Sequence, residues 1–242
     1  MAVKIIEGNL FTTQCQTIVN TINCVGVMGA GIALECRLRY PAMFEAYSRL
    51  CDEKRFRPGM LWLYKGGEDD RDVDNKWVLN FPTKVHWKFP SKIEWVESGL
   101  DKFLAMYKAK GISSVAFPVL GGLNGGLNPD EVISLMCDKL AVCEIPVEIY
   151  QYRADAPDDL FERFKNLFLS ESDEEIAKTS CLRIDYVRRI RDAIESSDIC
   201  QLNQLAHCDG IGVKTVEKAF ALMRQKEPMQ LELSLFVSEY AK

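Results

Sequence analysis

Histidine is almost missing: the 242 residues hold two, His86 and His207. A histidine-rich metal centre, or a mechanism needing two histidines in one cleft, is therefore excluded. The nine cysteines are odd in number, scattered and without a CxxC pair. That set fits a reduced, cytoplasmic protein and neither a disulfide framework nor structural zinc. No apolar run approaches the ~20 residues of a membrane helix. The opening MAVKIIEGN sets Lys4 and Glu7 in a strand-like pattern, unlike a signal peptide. Charge of one sign is not in large excess, 30 Lys+Arg against 35 Asp+Glu, net −5. A nucleic-acid partner would have to be met by a local site, since bulk attraction is absent. GxSxG, HExxH and Walker A signatures and internal repeats are also lacking.

What is present is ordinary globular composition, 48% hydrophobic and 27% charged, in a chain long enough for a substantial core. Up to about Tyr152, β-branched runs alternate with helical periodicity. VKIIEG, QTIVNTI, MLWLYKG, KWVLNFP, SSVAFPV and PVEIYQY read as strands. Several are apolar on both faces, as strands inside a covered sheet are. Gly31–Arg39, Ala42–Glu53, Ile93–Lys108 and Asp130–Val142 read as amphipathic helices, punctuated by Pro41, Gly111 and Pro129. The pattern predicts an α/β domain of three layers, α/β/α, around a mixed sheet over residues 1–155. Glu68–Asp74 reads as a solvated acidic loop. Beyond it, residues 156–178 read as a helix (Asp158–Leu169) followed by SESDEE, a linker or a helix start. Residues 179–242 have helical period throughout and predict a small all-α domain.

Three segments of the first domain carry candidate chemistry. Val19–Ala33 runs from a strand through Gly26, Gly29 and Gly31 into a helix, a geometry suited to a diphosphate. Its spacing fits neither common nucleotide fingerprint, and a tight strand-to-helix turn is the alternative. Leu120–Leu127 (LGGLNGGL) follows a buried strand and forms a second backbone-lined loop, where open α/β sheets bind ligands. Asn80–Trp87 (NFPTKVHW) sets Lys84 and His86 just past an apolar strand. Lys84 there is a candidate desolvated amine, acting as nucleophile or proton donor, and His86 a positioning hydrogen-bonder. The alternatives are a plain surface lysine for the one and a partly buried, satisfied histidine for the other.

In this order the segments EGNLF, VNTINCVGVMGAGIAL, FPTKVHW and LGGLNGGL resemble a macrodomain of the DarG type. The resemblance implies ADP-ribose as ligand or product, no cofactor, and removal of ADP-ribose from a DNA base. It sets Gly8 and Asn9 beside the adenine. Asn20, Asn23, Val27, Met28, Gly29, Gly31 and Ile32 then hold the distal ribose and part of the diphosphate. Leu120, Gly121, Gly122, Leu123, Asn124, Gly125 and Gly126 form the other phosphate wall. Lys84 falls on the family's catalytic lysine, which in related glycohydrolases attacks the anomeric carbon and forms an imine. One departure is visible. The family's aspartate after the second loop is replaced by Asn128, which can orient a ribose hydroxyl but cannot accept a proton.

In the tail, Gln201–Met223 resembles a helix-hairpin-helix. Gly210 and Gly212 form its hairpin, with Lys214 and Lys218 near the start of the second helix. Such a module grips DNA phosphates without reading sequence; an ordinary αα-hairpin is the alternative. Three functions follow for the whole: a hydrolase acting on ADP-ribosylated DNA, a non-catalytic ADP-ribose reader, or a steric antitoxin. The resemblance also allows a DarT-like ADP-ribosyltransferase toxin as partner. No membrane association is expected, and a monomer is.

Overall fold

A computed structural model describes residues 3–66, 76–196 and 198–225. The acidic stretch Glu68–Asp74 and the last part of the helical tail lie outside the described residues. The chain divides into two compact units, Met1–Pro157 and Asp158–Lys242.

The first unit runs β1 (Val3–Gly8), a 3-10 turn (Leu10–Thr12), β2 (Thr17–Ile22), α1 (Gly31–Arg39), α2 (Pro41–Asp52) and β3 (Trp62–Tyr64). It continues with β4 (Trp77–Pro82), α3 (Ile93–Lys110), β5 (Val115–Pro118), α4 (Pro129–Leu140) and β6 (Val147–Tyr152). The strands order β1-β6-β5-β2-β4-β3 in one sheet. Every neighbouring pair is parallel except β3 with β4, which makes the sheet mixed. Of the run MLWLYKG only Trp62–Tyr64 pairs, as a short edge strand.

Strand side chains alternate between two faces, and each face has its own core. Val19, Leu79, Phe81 and Phe117 pack with Leu100 and Phe103 of α3 and Val132 and Met136 of α4. Ile18, Ile22, Val78 and Ala116 pack with Ala33 and Cys36 of α1 and Met43 and Tyr47 of α2. Helices thus cover both faces, and the apolar strands inside are the consequence. Each fully buried Leu, Ile or Phe contributes about 1.5–3 kcal/mol. The helices stop where the residues require it. Gly111 takes a left-handed φ of 76°, and Gly111 and Ile112 donate back to Lys108 and Tyr107. α1 differs from its amphipathic expectation: Glu35 and Arg39 are both buried, paired at 2.7 Å, with the guanidinium 4.1 Å from the Phe11 ring centre.

The second unit comprises α5 (Phe161–Ser170), α6 (Asp173–Ser180), α7 (Ile184–Glu195), a 3-10 segment (Leu202–His207) and α8 (Val213–Gln225). Phe164 and Phe168 stack at 4.4 Å. Ile176, Val187, Ile190, Ile194, Leu205, Val216 and Phe220 are buried with them. SESDEE is a helix start: the Ser172 hydroxyl accepts from Glu175 N–H at 3.2 Å, and Asp173, Glu174 and Glu175 occupy the first turn. That arrangement satisfies an orphan donor and complements the helix dipole. Among the described residues no helix is long and apolar enough to cross a membrane.

Candidate active site

Parallel strands end on the same side, so β1, β2, β4 and β5 deliver their following loops to one edge of the sheet. After β2, Asn23 builds the first loop from inside. Its Oδ1 accepts from Val25 N–H (3.0 Å) and Val27 N–H (3.3 Å), and its Nδ2 donates to the Val27 carbonyl. The Tyr47 hydroxyl of α2 donates to the Asn23 carbonyl at 2.9 Å, and burial raises the Tyr47 pKa, so it stays a donor. Met28 is fully buried beneath this loop. Asn20 is also inside: it is buried and donates to Asn80 Oδ1 at 3.0 Å across β2 and β4. Neither Asn20 nor Met28 offers its side chain to the cleft.

The second loop folds on its own main chain. Gly126 donates to Gly122 (3.2 Å) and Leu127 to Gly121 (3.1 Å). A Cβ at Gly125 would lie 2.1 Å from the Gly121 carbonyl oxygen, so no other residue fits. The two loops abut at Gly31, where φ is +55° and a Cβ would come within 2.9 Å of Asn124 Nδ2. The loop ends at Asn128, whose Oδ1 accepts from Asp130 N–H (2.9 Å) and Glu131 N–H (3.3 Å) and caps α4, with Pro129 in its first turn. Asn128 therefore has a definite structural task.

Lys84 joins both loops. Its Nζ donates to the Asn124 carbonyl of the second. Its own carbonyl accepts from the Cys24 thiol of the first at 3.2 Å, and Cys24 N–H donates to Val85 at 3.1 Å. Burial lowers the Lys84 pKa, which favours the neutral amine. Burial likewise pushes the Cys24 thiol up to about 12, so it remains a protonated clasp and not a nucleophile. His86 occupies a tight turn: its Nδ1 accepts from Lys88 N–H (3.2 Å), its carbonyl accepts from Phe89 N–H (3.1 Å), and its ring stacks on Trp87. At the end of β1, Gly8 and Asn9 are buried. Asn9 Oδ1 accepts from Phe11 N–H (3.1 Å), while its Nδ2 has no protein partner. Val27, Gly29, Leu123, Asn124 and Gly126 are exposed, Gly31 and Ile32 half-buried, and Leu120, Gly121, Gly122 and Gly125 buried.

In the second unit, Gly210 (φ +73°), Gly212, Lys214 and Lys218 are exposed. Lys218 Nζ donates to the Cys181 carbonyl at 2.8 Å, at the end of α6, and Arg189 packs against Gly210. Sequence reasoning missed Cys24, Tyr47 and Arg189. Each acts on a partner remote in the chain, which local spacing does not signal. Among the described residues no cluster of His, Cys, Asp and Glu is placed to hold a metal ion.

Fold and cleft together define a three-layer α/β/α ligand-binding domain whose site is main-chain loop, with one lysine set between the walls. The family model described as Macro domain matches residues 19–136. The DNA ADP-ribosyl glycohydrolase of Mycobacterium tuberculosis is 42% identical over 126 residues, covering 52% of this chain and 35% of that protein. The DNA ADP-ribosyl transferase–DNA ADP-ribosyl glycohydrolase fusion protein of Thermosipho africanus is 38% identical, covering 61% of this chain and 41% of that one. This chain thus spans well under half of the length of these relatives. Among solved structures, the macrodomain of M. tuberculosis DarG superposes with a TM-score of 0.57 at 36% identity, covering 61% of this chain and 96% of that one. The T. africanus DarTG structure in complex with ADP-ribose gives a TM-score of 0.58 at 37% identity, covering 65% and 43%. The chain belongs to the macrodomain family, through its first unit.

Proposed function

We propose that this chain is an ADP-ribosyl glycohydrolase that releases ADP-ribose from modified DNA bases. The observation that carries the reading is Lys84, a half-buried amine of lowered pKa tied to both glycine-rich loops. Main-chain N–H groups of those loops suit a diphosphate. The unpartnered Asn9 Nδ2 suits an acceptor on a purine edge, since a buried donor without a partner costs about 1–3 kcal/mol until something fills it. The relatives named for this activity support it further.

In the step so proposed, the Lys84 amine attacks the anomeric carbon of the distal ribose. The bond from that carbon to the base nitrogen breaks, its electron pair leaves with the base, and the base takes a proton. The ribosylamine opens to an imine, and water hydrolyses it to free ADP-ribose and the amine. Asn128, with Oδ1 spent on the helix cap, keeps Nδ2 to orient a ribose hydroxyl. His86 shapes the turn after Lys84. The hairpin of the second unit holds the DNA backbone through Gly210, Gly212 and Lys214, with Lys218 adding charge nearby. The natural partner is a DarT-like ADP-ribosyltransferase whose product this site erases.

Lys84→Ala tests the reading: release from ADP-ribosylated oligonucleotide is expected to stop while ADP-ribose affinity stays within a few-fold, because a nucleophile acts mainly in the transition state. Borohydride should trap a Lys84 adduct only in the parent chain. A parent that binds ADP-ribose and releases none from any modified base is a reader, the role that Asn128 in place of aspartate favours.

A further inference from the structure

The main chain that carries Lys84 is held by one residue of the first glycine-rich loop. Beyond the ends of β2 and β4, Thr83 N–H donates to the Ile22 carbonyl at 3.0 Å, which continues the parallel ladder. An even ladder would next send Cys24 N–H to the Thr83 carbonyl. It goes instead to the Val85 carbonyl, at 3.1 Å, two residues further on. The chain thus bulges at Lys84, the device by which strands re-aim a side chain beside a site. A bulge leaves a carbonyl outside the ladder, here that of Lys84. Among the described residues its donor is the Cys24 thiol, at 3.2 Å. Cys24 therefore closes the bulge twice, with its amide on Val85 and its thiol on Lys84.

The thiol is suited to that task. Its electrostatic neighbour is the buried Cys51 of α2, and burial keeps its own proton in place at neutral pH. The nearby Tyr47 hydroxyl is committed to the Asn23 carbonyl and Oδ1, at 2.9 and 3.1 Å. At the far end of the lysine, Nζ donates to the Asn124 carbonyl of the second loop. Lys84 is strung between the two loops, and the depth of its amine follows from where its main chain is held. No carboxylate substitutes for that depth. The segments Asn80–Lys92, Val19–Leu34 and Val119–Pro129 contain no Asp or Glu, and burial is what lowers the Lys84 pKa. An amine that rides outward regains water and its ordinary proton. A displacement of about 1 Å at a reacting atom also costs up to ~100-fold in rate.

We propose that Cys24 is a positioning residue: its thiol holds the Lys84 peptide so that the amine stays withdrawn between the two glycine-rich loops, in line with the anomeric carbon. This rests on the glycohydrolase reading for its reaction but not for its effect on the amine, and the two are separable by experiment. In the full-length chain, Cys24→Val removes the donor at similar volume and Cys24→Ser keeps a donor. Cys24→Ala takes the place of valine where the branched side chain disturbs the fold. For each variant, kcat and KM are measured for ADP-ribose release from a modified oligonucleotide. The Lys84 pKa is measured separately, by competitive acetylation with acetic anhydride and peptide mass spectrometry. Cys24→Val is expected to lower kcat by about tenfold or more, while KM and calorimetric ADP-ribose affinity stay within about twofold. Its Lys84 pKa is expected to return toward the ordinary ~10.5. Cys24→Ser should restore most of both. No release by any chain, parent included, with the Lys84 pKa still raised in Cys24→Val and restored in Cys24→Ser, removes the hydrolase reading and leaves the positioning role standing. Release and Lys84 pKa both unchanged in Cys24→Val and Cys24→Ala, serine no better than valine, or ADP-ribose affinity lost in step with kcat overturns the positioning role and leaves the hydrolase standing.

Discussion

Asn128 stands where the resemblance expects aspartate, and the structure divides its possible roles cleanly. Its Oδ1 accepts two backbone N–H groups at the start of α4. Asn128→Ala leaves those groups to water, since the position is exposed. Loss of such a cap costs about 1 kcal/mol, within ~0.5–2. For a unit of this size that lowers the melting temperature by about 2–4 °C. Asn128→Asp keeps the acceptor and adds an anion at a helix N-terminus, worth ~0.3–1 kcal/mol, offset by Asp130 and Glu131 beside it. Its melting temperature is expected within about 2 °C of the parent at neutral pH. The same two N–H groups hold the new carboxyl below the usual carboxylate range. Because its folded pKa is lowered, its contribution is present above the unfolded value of ~3.9 and is lost as pH falls through the folded one. A carboxylate so stabilised is a weak base. Release is therefore expected to rise by no more than about tenfold, ~1.4 kcal/mol of barrier. Calorimetric melting at pH 7 and pH 3 and ADP-ribose release from a modified oligonucleotide check the two arms. An Ala variant that melts like the parent refutes the cap argument. A gain of a hundredfold with Asp puts the position in the chemistry and refutes the division.

The direction of the pH profile tests the Lys84 amine: release should rise with pH and level off below the ordinary lysine value of ~10.5, because burial lowers that pKa. A profile that falls over this range assigns Lys84 to proton donation. Gly125→Ala, whose methyl would meet the Gly121 carbonyl at 2.1 Å, should abolish ADP-ribose binding by calorimetry while the circular dichroism of the fold persists. Unchanged affinity would dissociate the second loop from the ligand. Gly210→Glu should weaken binding of unmodified duplex DNA, most strongly at low salt, and leave ADP-ribose affinity alone; equal duplex affinity by anisotropy would make the hairpin purely structural.

The alternation of apolar strands and amphipathic helices made the three layers legible, because each strand core is a local run. β3 was overestimated: MLWLYKG is apolar enough for a strand, but only three residues find a partner on β4. Lys84 and the two glycine-rich loops were legible because residue type and strand-end position coincide. Asn20 and Asn23 look alike in sequence, two asparagines three residues apart ahead of the glycines of the first loop, and only their distant partners separate them. One meets Asn80 in the sheet, and the other organises five residues of loop under Tyr47. The ion pair inside α1 was hidden for the same reason, since the Phe11 ring against which Arg39 lies is remote from the helix in sequence.

The buried amide pair of Asn20 and Asn80 also acts as a check on assembly. Hydrocarbon side chains along β2 and β4 pack almost equally well if one strand slides two residues along the other, since the same face still points inward. The amides do not permit the slide. Displaced by two, Asn20 would sit opposite Val78 or Pro82 instead of Asn80, and two carboxamides would lie in the interior with no partner. That costs about 1–3 kcal/mol for each polar group stranded. At ~3.3 Å per residue the slide would also move the end of β4 by about 7 Å, carrying Lys84 out of reach of both Cys24 and Asn124. A residue pair that never meets solvent thus decides whether the lysine arrives between its two loops.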